Sequence, residues 1–142
     1  MENSFIRILS LDVGEKRIGM AVSDVLCLIA QQLETLTRSN EADDFSRIRD
    51  IVKDKEVSEI VVGFPLNMDG TEGPKAAEIN RFIEGLKKEC DVPIKIWDER
   101  LTTREADRIL RAADVSRKKR KKLDDKLAAQ LILQSYLDSR GI

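Results

Sequence analysis

Apolar and polar positions in the first quarter of the chain follow the two-residue period of β-strands. Residues 5–13 are rich in branched apolar side chains, and alternation places Asp12 on the same face as Ile8. A second strand is predicted over Ile18–Ser23, and the turn before it is so short that only an antiparallel hairpin can join the two strands. A third apolar run around Cys27–Leu36 extends this meander.

The period then changes to that of helices separated by short strands. Phe45, Ile48 and Ile51 recur at helical spacing and predict an amphipathic helix over residues 43–56. The elements expected after it are a strand over 59–64, a helix from Pro74, a strand over 93–99, a helix from Thr102 to Ala113 and a last helix over 123–138.

This order of elements predicts an α/β fold. A three-stranded antiparallel meander followed by two strand–helix–strand crossovers gives a mixed five-stranded sheet, in which two strands are parallel and helices cover both faces. The 142 residues suit one domain, spanning residues 1–142.

The amino-acid composition excludes several kinds of catalytic and metal site. The chain has no histidine, and its two cysteines are 63 positions apart, so a zinc site and a histidine-based nucleophilic mechanism are excluded. Carboxylates, lysines, hydroxyls or a hard metal ion remain. Because the sequence has neither a signal-peptide pattern nor a membrane span, we expect a cytoplasmic protein without membrane partners.

Charge is unevenly distributed along the chain. Six consecutive cations occupy positions 117–122, a segment that we call the basic strap, and the other residues carry 19 basic against 26 acidic side chains. A local concentration of positive charge favours contact with a polyanion. A solvated flexible loop is the alternative interpretation.

Carboxylates at the ends of two predicted strands are candidate site residues. Asp12 lies at the carboxyl end of the first strand, and Asp98 and Glu99 close the fifth. Because adjacent strand residues point to opposite faces, at most one of the latter two easily joins Asp12. The structural alternatives are a cap on the turn after Asp12 and an ion pair of Glu99 with a neighbouring arginine.

A third carboxylate is predicted to face the sheet from the last helix. Lys126, Gln130, Gln134 and Asp138 form one polar stripe at four-residue spacing. At 100° per residue, Asp125 lies about 160° from the centre of that stripe and is in line with Ala128, Ala129 and Ile132. An unpaired buried carboxylate is costly, so Asp125 is expected to be either in a satisfied ion pair or at a functional site.

Clustered carboxylates without histidine suit Mg²⁺ or Mn²⁺ as a cofactor. Two such ions can activate water and stabilise the leaving oxygen of a phosphodiester. The basic strap, which precedes Asp125 in the sequence, would then hold the polyanionic substrate.

Four sequence blocks resemble the YqgF family, whose members are RNase H-like proteins similar to Holliday-junction resolvases. In chain order the blocks are Leu11–Gly19 with Ala21–Asp24, Val62–Gly73, Asp98–Thr103 and Asp125–Ala129. The resemblance implies an RNase H-like fold and a nuclease that processes precursors of 16S ribosomal RNA. It also implies an acidic, metal-binding and catalytic triad, which falls on Asp12, Glu99 and Asp125. An acid at Asp124 leaves open which of these two neighbours completes the triad.

Cations near these blocks are the expected nucleic-acid contacts. They are Lys16, Arg17 and Arg100, together with Arg117, Lys118, Lys119, Arg120, Lys121 and Lys122 of the basic strap. The loop over 65–73 either lines the substrate groove or simply connects a strand to the helix at Pro74.

Three functions compatible with these features remain open. The leading hypothesis is a metal-dependent nuclease of structured RNA, active as a monomer or homodimer. The second is a resolvase of branched DNA, which would act as a symmetric dimer. The third is a non-catalytic RNA- or ribosome-binding factor. An actin-like ATPase fits poorly, because such enzymes clamp nucleotide between two lobes and this chain is long enough for one.

Overall fold

The computed structural model describes residues 6–99 and 117–140, and of residues 117–126 it describes the backbone. Its strands are β1 (Ile8–Val13), β2 (Arg17–Ser23), β3 (Ala30–Gln32), β4 (Leu36–Thr37), β5 (Glu59–Phe64) and β6 (Ile94–Asp98). Its helices are α1 (Glu41–Asp54), α2 (Pro74–Lys87) and α3 (Arg117–Ser139). The predicted helix over 102–113 lies outside the described residues.

The strands form one mixed sheet in the order β3-β2-β1-β5-β6, with β4 also paired to β2. The pairs β1–β2, β2–β3 and β2–β4 are antiparallel, whereas β1–β5 and β5–β6 are parallel. The predicted mixed sheet, a meander with two parallel strands, is therefore confirmed, but it has six strands rather than the predicted five, because β3 and β4 are separate strands. Because β5 lies between β1 and β6, the carboxyl ends of three parallel strands meet at one edge of the sheet.

The predicted third strand, Cys27–Leu36, is wrong as one element, because β3 and β4 pair separately with β2. Its first residues belong to a loop that Asp24 organises. The Asp24 carboxylate accepts hydrogen bonds from the backbone N–H groups of Leu26, Leu28 and Ile29. A side chain that takes up backbone donors in this way competes with strand pairing, so β3 begins only at Ala30.

The first two helices begin where local capping signals allow. Helix α1 starts two residues before the predicted position because Asn40 accepts a hydrogen bond from the Asp43 N–H and caps the helix there. Helix α2 begins at Pro74 as predicted, since proline suits the first helical position.

The last helix begins at Arg117, not at Leu123, so the basic strap forms its first turns rather than a separate segment. Lysine and arginine are good helix formers, and no glycine or proline interrupts residues 117–139. At 100° per residue, six consecutive positions are distributed all around the helix axis. The charge of the basic strap is therefore not confined to one face of α3.

Two apolar layers cover the sheet. One layer packs β1, β5 and neighbouring strands against α1 and α2, with Leu11, Val62, Ile48 and Ile79 among its buried residues. The other layer packs the opposite face against α3 and contains the residues Ile8, Ala21, Val61, Ala129, Ile132 and Leu133. No helix in the described ranges is long and apolar enough to cross a membrane.

The polar stripe of α3 binds the outer edge of β3. Gln134 accepts a hydrogen bond from the Ala30 N–H at 2.9 Å and donates one to the Leu28 carbonyl at 3.0 Å. Gln130 donates to the Ala30 carbonyl at 3.1 Å. These side chains satisfy backbone groups that would otherwise be open to pairing with another strand.

Candidate active site

Asp12 and Glu99 meet at the carboxyl edge of the parallel strands. Asp12 is the fifth residue of β1, and Glu99 directly follows β6. The register places Leu11 beside Val62 and Gly63 beside Trp97, so Asp12 is level with Gly63 of the intervening β5. The two carboxyl groups are hydrogen-bonded to each other. Of the two acids at the end of β6, Glu99 is therefore the one that joins Asp12.

Gly63 provides the space that the Glu99 side chain occupies. A Cβ atom at this position would lie 2.9 Å from Glu99 Cγ and 2.6 Å from Ile132 Cδ1, closer than real Cβ contacts. Glu99 thus lies across the backbone of β5, next to α3. The sequence signal was an isolated glycine in an otherwise apolar strand, which often marks such a close approach, but the motif alone assigned it no role.

The environment raises the pKa of Glu99 to about 8. Burial of the carboxyl is the main cause, followed by the charge of Asp12 and the hydrogen bond with it. The charge of Asp98 also raises the pKa of Glu99, whereas the positive charge of Lys75 lowers it. At neutral pH the pair therefore holds one proton between its two carboxyls, because both cannot easily ionise at this separation.

Lys75, near the start of α2, is a functional candidate that sequence reasoning missed. Its charge acts on Glu99 although 24 residues separate them in the chain. A lysine after a proline at a helix start has no pattern that distinguishes it from a surface lysine. Only the arrangement of α2 beside the end of β6 reveals its proximity to the acid pair.

The backbone of α3 places Asp125 at the level of Asp12. The Ser10 hydroxyl donates a hydrogen bond of 2.7 Å to the Ala129 carbonyl, which sets the register between β1 and α3. Tyr136 contacts Glu59 at the amino end of β5, so α3 runs antiparallel to β1. Two strand residues advance about 6.7 Å from Ser10 to Asp12. Four helical residues back from Ala129 cover about 6 Å and reach Asp125.

Asp125 also shares a helix face with Ala129 and Ile132, which are both fully buried against the sheet. The predicted position of Ala129 and Ile132 against the sheet is therefore confirmed, whereas Ala128 is only half-buried. The side chains of Asp124 and Asp125 lie outside the described ones, so their roles stay predictions.

The donor set at this edge suits a hard divalent cation. Asp12 and Glu99 present two carboxyl groups, and carboxylate oxygens are the ligands that Mg²⁺ and Mn²⁺ prefer. Among the side chains that the structure describes, no group of three acidic, histidine or cysteine residues could hold a metal ion.

Two of the predicted nucleic-acid contacts lie in the turn after β1. Lys16 and Arg17 are exposed there, and the turn is closed by a hydrogen bond of 2.9 Å from the Gly14 N–H to the Arg17 carbonyl. The basic strap begins α3, whose amino-terminal part extends toward the same edge of the sheet. Arg100 lies outside the described residues.

The loop over 65–73 follows β5 and forms an ordered hairpin, and its contact with substrate stays a prediction. Leu66 and Glu72 form an antiparallel bridge. The Asn67 N–H donates to the Thr71 carbonyl at 2.8 Å, and Asp69 accepts from the N–H and hydroxyl of Thr71. This internal bonding orders the hairpin at the carboxyl end of β5.

Comparison with known proteins identifies the family. A family model described as RuvX, Holliday junction resolvase, matches residues 6–139. A relative from Thermoanaerobacter pseudethanolicus is 54% identical over 136 residues, which cover 95% of this chain and 98% of the relative. One from Halothermothrix orenii is 50% identical over 133 residues, covering 94% and 95%. Both carry the name "Putative pre-16S rRNA nuclease".

Solved structures support the fold. RuvC of T. thermophilus in complex with a Holliday junction substrate has a TM-score of 0.61 at 16% identity and covers 95% of both chains. A fowlpox virus resolvase bound to Holliday junction DNA has a TM-score of 0.56 at 12% identity, over 96% of this chain and 100% of the viral one. The predicted RNase H-like fold is confirmed, and the chain belongs to the RuvX family, as its resemblance to YqgF proteins implied.

Proposed function

We propose that this protein is a nuclease that hydrolyses phosphodiester bonds in RNA and processes the precursor of 16S ribosomal RNA in the cytoplasm. The observation that carries the proposal is the contact between Asp12 and Glu99 at the carboxyl edge of the sheet. Relatives of about half-identical sequence over nearly the whole chain bear the corresponding name, which favours this substrate.

The acid pair supplies oxygen ligands at a fixed place. Asp12, Glu99 and Asp125 would hold two Mg²⁺ or Mn²⁺ ions, which when bound supply activation of an attacking water and stabilisation of the leaving oxygen. Asp12 is held by the pairing of β1 on both sides, and Glu99 lies close against the backbone of Gly63. Rigid carboxylates of this kind keep a ligand set in place without reorganisation.

The remaining site residues bind and orient the substrate. Lys16, Arg17 and the basic strap contribute positive charge near the acid pair, which favours a phosphate backbone. The hairpin over 65–73, which directly follows β5, would line the substrate groove. Lys75 provides positive charge on the α2 side and counteracts the charge that Asp12 and Glu99 acquire when their shared proton leaves.

Cleavage of branched DNA is the second candidate function. The family description and the junction-bound RuvC structure of similar fold favour it. A resolvase makes paired cuts as a symmetric dimer, whereas cleavage of single sites in RNA needs no such symmetry. Oligomeric state and substrate preference therefore separate the two functions.

The test compares cleavage of a labelled pre-16S ribosomal RNA fragment and of a four-way DNA junction by the purified protein with Mg²⁺ or Mn²⁺. Asp12→Asn should abolish cleavage while the protein still folds, because this substitution removes charge and little volume. Asp91→Asn, an exposed acid after α2, is the matched control and should cleave like wild type.

Each result decides between the candidates. The proposal is supported if RNA cleavage is lost in Asp12→Asn but kept in wild type and in Asp91→Asn. Cleavage of the junction alone, by a dimer, supports the resolvase. Equal cleavage by wild type and Asp12→Asn, with contaminating nuclease excluded, overturns the mechanism. Binding of RNA without cleavage of either substrate indicates the non-catalytic factor.

A further inference from the structure

A cavity of about 190 Å³ opens beside the turn that follows β1. Val13 and Gly14, which directly follow Asp12, line this cavity together with residues of α2. Its polar lining consists of Arg38, Glu41, Lys75, Glu78 and Arg81. Because Lys75 lines this cavity and also acts on Glu99, the cavity adjoins the acid pair.

One cation of the cavity is held rigidly. The Arg38 guanidinium donates a hydrogen bond of 2.7 Å from Nη1 to the Gly14 carbonyl, and its Nε lies 3.5 Å from the buried carboxylate of Asp44. It also lies over the ring of Phe82, 5.5 Å from the centroid. These contacts fix the position of a positive charge in the wall and tie it to the turn beside Asp12.

The other two cations are available for a ligand. Lys75 and Arg81 are exposed, and neither makes an ion pair or hydrogen bond within residues 6–99 and 127–140. Some exposed cations elsewhere on the described surface form ion pairs, as Arg49 does with Glu89 and Lys87 with Glu84, whereas others, such as Lys53, do not. What distinguishes Lys75 and Arg81 is that they share a concave site with a rigid arginine, an arrangement that suits phosphate recognition.

We propose that this cavity binds a phosphate of the nucleic-acid backbone through Lys75, Arg81 and Arg38, and so sets the path of the substrate across the sheet edge. The proposal rests on the proposed function for the identity of the ligand. At about 190 Å³ the cavity exceeds by far the 10–15 Å³ that one water needs, so it can take a phosphate group together with its hydration.

The two carboxylates of the lining limit the affinity of the cavity. Glu41 and Glu78 reduce its positive potential, so a free phosphate should bind weakly, and the backbone phosphate of a polymer anchored elsewhere should bind better. Substitutions of the acidic and of the basic lining residues should therefore change phosphate binding in opposite directions. Removing Glu78 should strengthen phosphate binding, and removing Arg81 should weaken it, whereas a purely structural role of these exposed side chains predicts neither.

The first experiment titrates inorganic phosphate into the isotope-labelled protein without nucleic acid. The Gly14 amide and the Arg81 Nε–H should shift together in wild type, and the Gly14 shift should disappear in Arg81→Gln. Lys53→Gln, which removes an exposed cation near the end of α1, is the matched control and should behave like wild type. Absence of any phosphate-dependent shift at Gly14 in wild type overturns the proposal.

The second experiment measures binding of labelled single-stranded RNA, and of DNA of the same sequence, over a range of salt. Arg81→Gln should weaken binding about tenfold, as expected for one charged hydrogen bond. It should also lower the slope of log affinity against log salt by about 0.7 for either polymer. Glu78→Gln should shift affinity the other way. If Arg81→Gln and Lys53→Gln have equal effects, the proposal is overturned.

These readouts separate the cavity from the nuclease function. If the protein binds phosphate at Gly14 in an Arg81-dependent way but cleaves neither RNA nor DNA, the proposed phosphate site is supported and the proposed nuclease activity is contradicted. Cleavage that persists with unchanged KM in Arg81→Gln and in Lys75→Gln contradicts the cavity and leaves the nuclease in place. Circular dichroism of each variant verifies that it is folded.

Discussion

Replacement of Glu99 by glutamine tests the acid pair through protein stability, independently of cleavage. The substitution keeps the shape of the side chain, and its amide can still donate a hydrogen bond to Asp12. It removes the group whose pKa is raised from 4.5 to about 8 by burial and by Asp12. The expected effect is therefore on the pH dependence of folding.

The sign follows from proton binding. Between pH 4.5 and about 8 the folded protein retains the proton on this pair, whereas the same carboxyl of the unfolded chain has released it. Because the folded state binds more protons, the free energy of unfolding falls as pH rises through this window. A pKa difference of about 3.5, at 1.36 kcal/mol for each pKa unit, sets an upper limit of about 5 kcal/mol.

The measurement is urea unfolding of wild type and Glu99→Gln at several values from pH 5 to pH 8.5, with EDTA present to remove metal ions. Wild type should lose stability relative to the variant as pH rises. Taking the difference between the two proteins cancels the contributions of other titrating groups, provided that they are unaffected by the substitution. A relative loss of more than about 1 kcal/mol is well above the uncertainty of a comparison at fixed m-value.

The control is Glu84→Gln on the exposed face of α2, which should follow the wild-type pH dependence. A difference between wild type and Glu99→Gln that stays constant from pH 5 to pH 8.5 would refute the reasoning. In that case the carboxyl of Glu99 would not titrate in this window, and its contact with Asp12 would not hold a proton at neutral pH.

Three further substitutions test other parts of the structure. Gly63→Ala should lower the free energy of unfolding by about 1–3 kcal/mol, because the new Cβ would lie 2.6 Å from Ile132 Cδ1. Urea unfolding measures this loss, and adding Ile132→Val should restore part of the lost stability. Gln134→Ala should cost about 1 kcal/mol, since the Ala30 N–H loses its partner, and unchanged stability would contradict the role of Gln134 at the sheet edge. Changing all six residues of the basic strap to glutamine should lower the salt slope of RNA binding by roughly 2–4 with little change in kcat; an equal slope would show that the strap does not contact phosphate.

Local patterns in the sequence determined most of the architecture. Alternating and continuous apolar runs identified β1, β2 and β5, and the bounds of β5 agree with the prediction. Proline at position 74 predicted the start of α2. These features depend on neighbours within a few residues, whose periodicity and capping can be evaluated along the chain. The order of elements then left few topologies, which is why the mixed sheet was predicted correctly.

The tertiary structure alone decided what happens where distant segments meet. Three features depend on β5 lying between β1 and β6. They are the pairing of Asp12 with Glu99 rather than Asp98, the space that Gly63 leaves for Glu99, and the raised pKa of Glu99. The charge of Lys75 lowers the pKa of Glu99 only because the chain brings the start of α2 toward that edge. Such contacts join residues separated by tens of positions, and their energies arise from burial and charge proximity that no local pattern encodes.

The same reason explains the predictions that were wrong. The third strand is divided because Asp24 takes up the N–H groups of the loop that follows β2. Gln130 and Gln134 were identified as a polar stripe, but their hydrogen bonds to the edge of β3 required the packing of α3 on that face. The sequence thus determined which residues are polar, apolar or acidic and with what period they repeat. The three-dimensional packing determined which of them meet, because contacts depend on the distance in space between groups that are far apart in the chain.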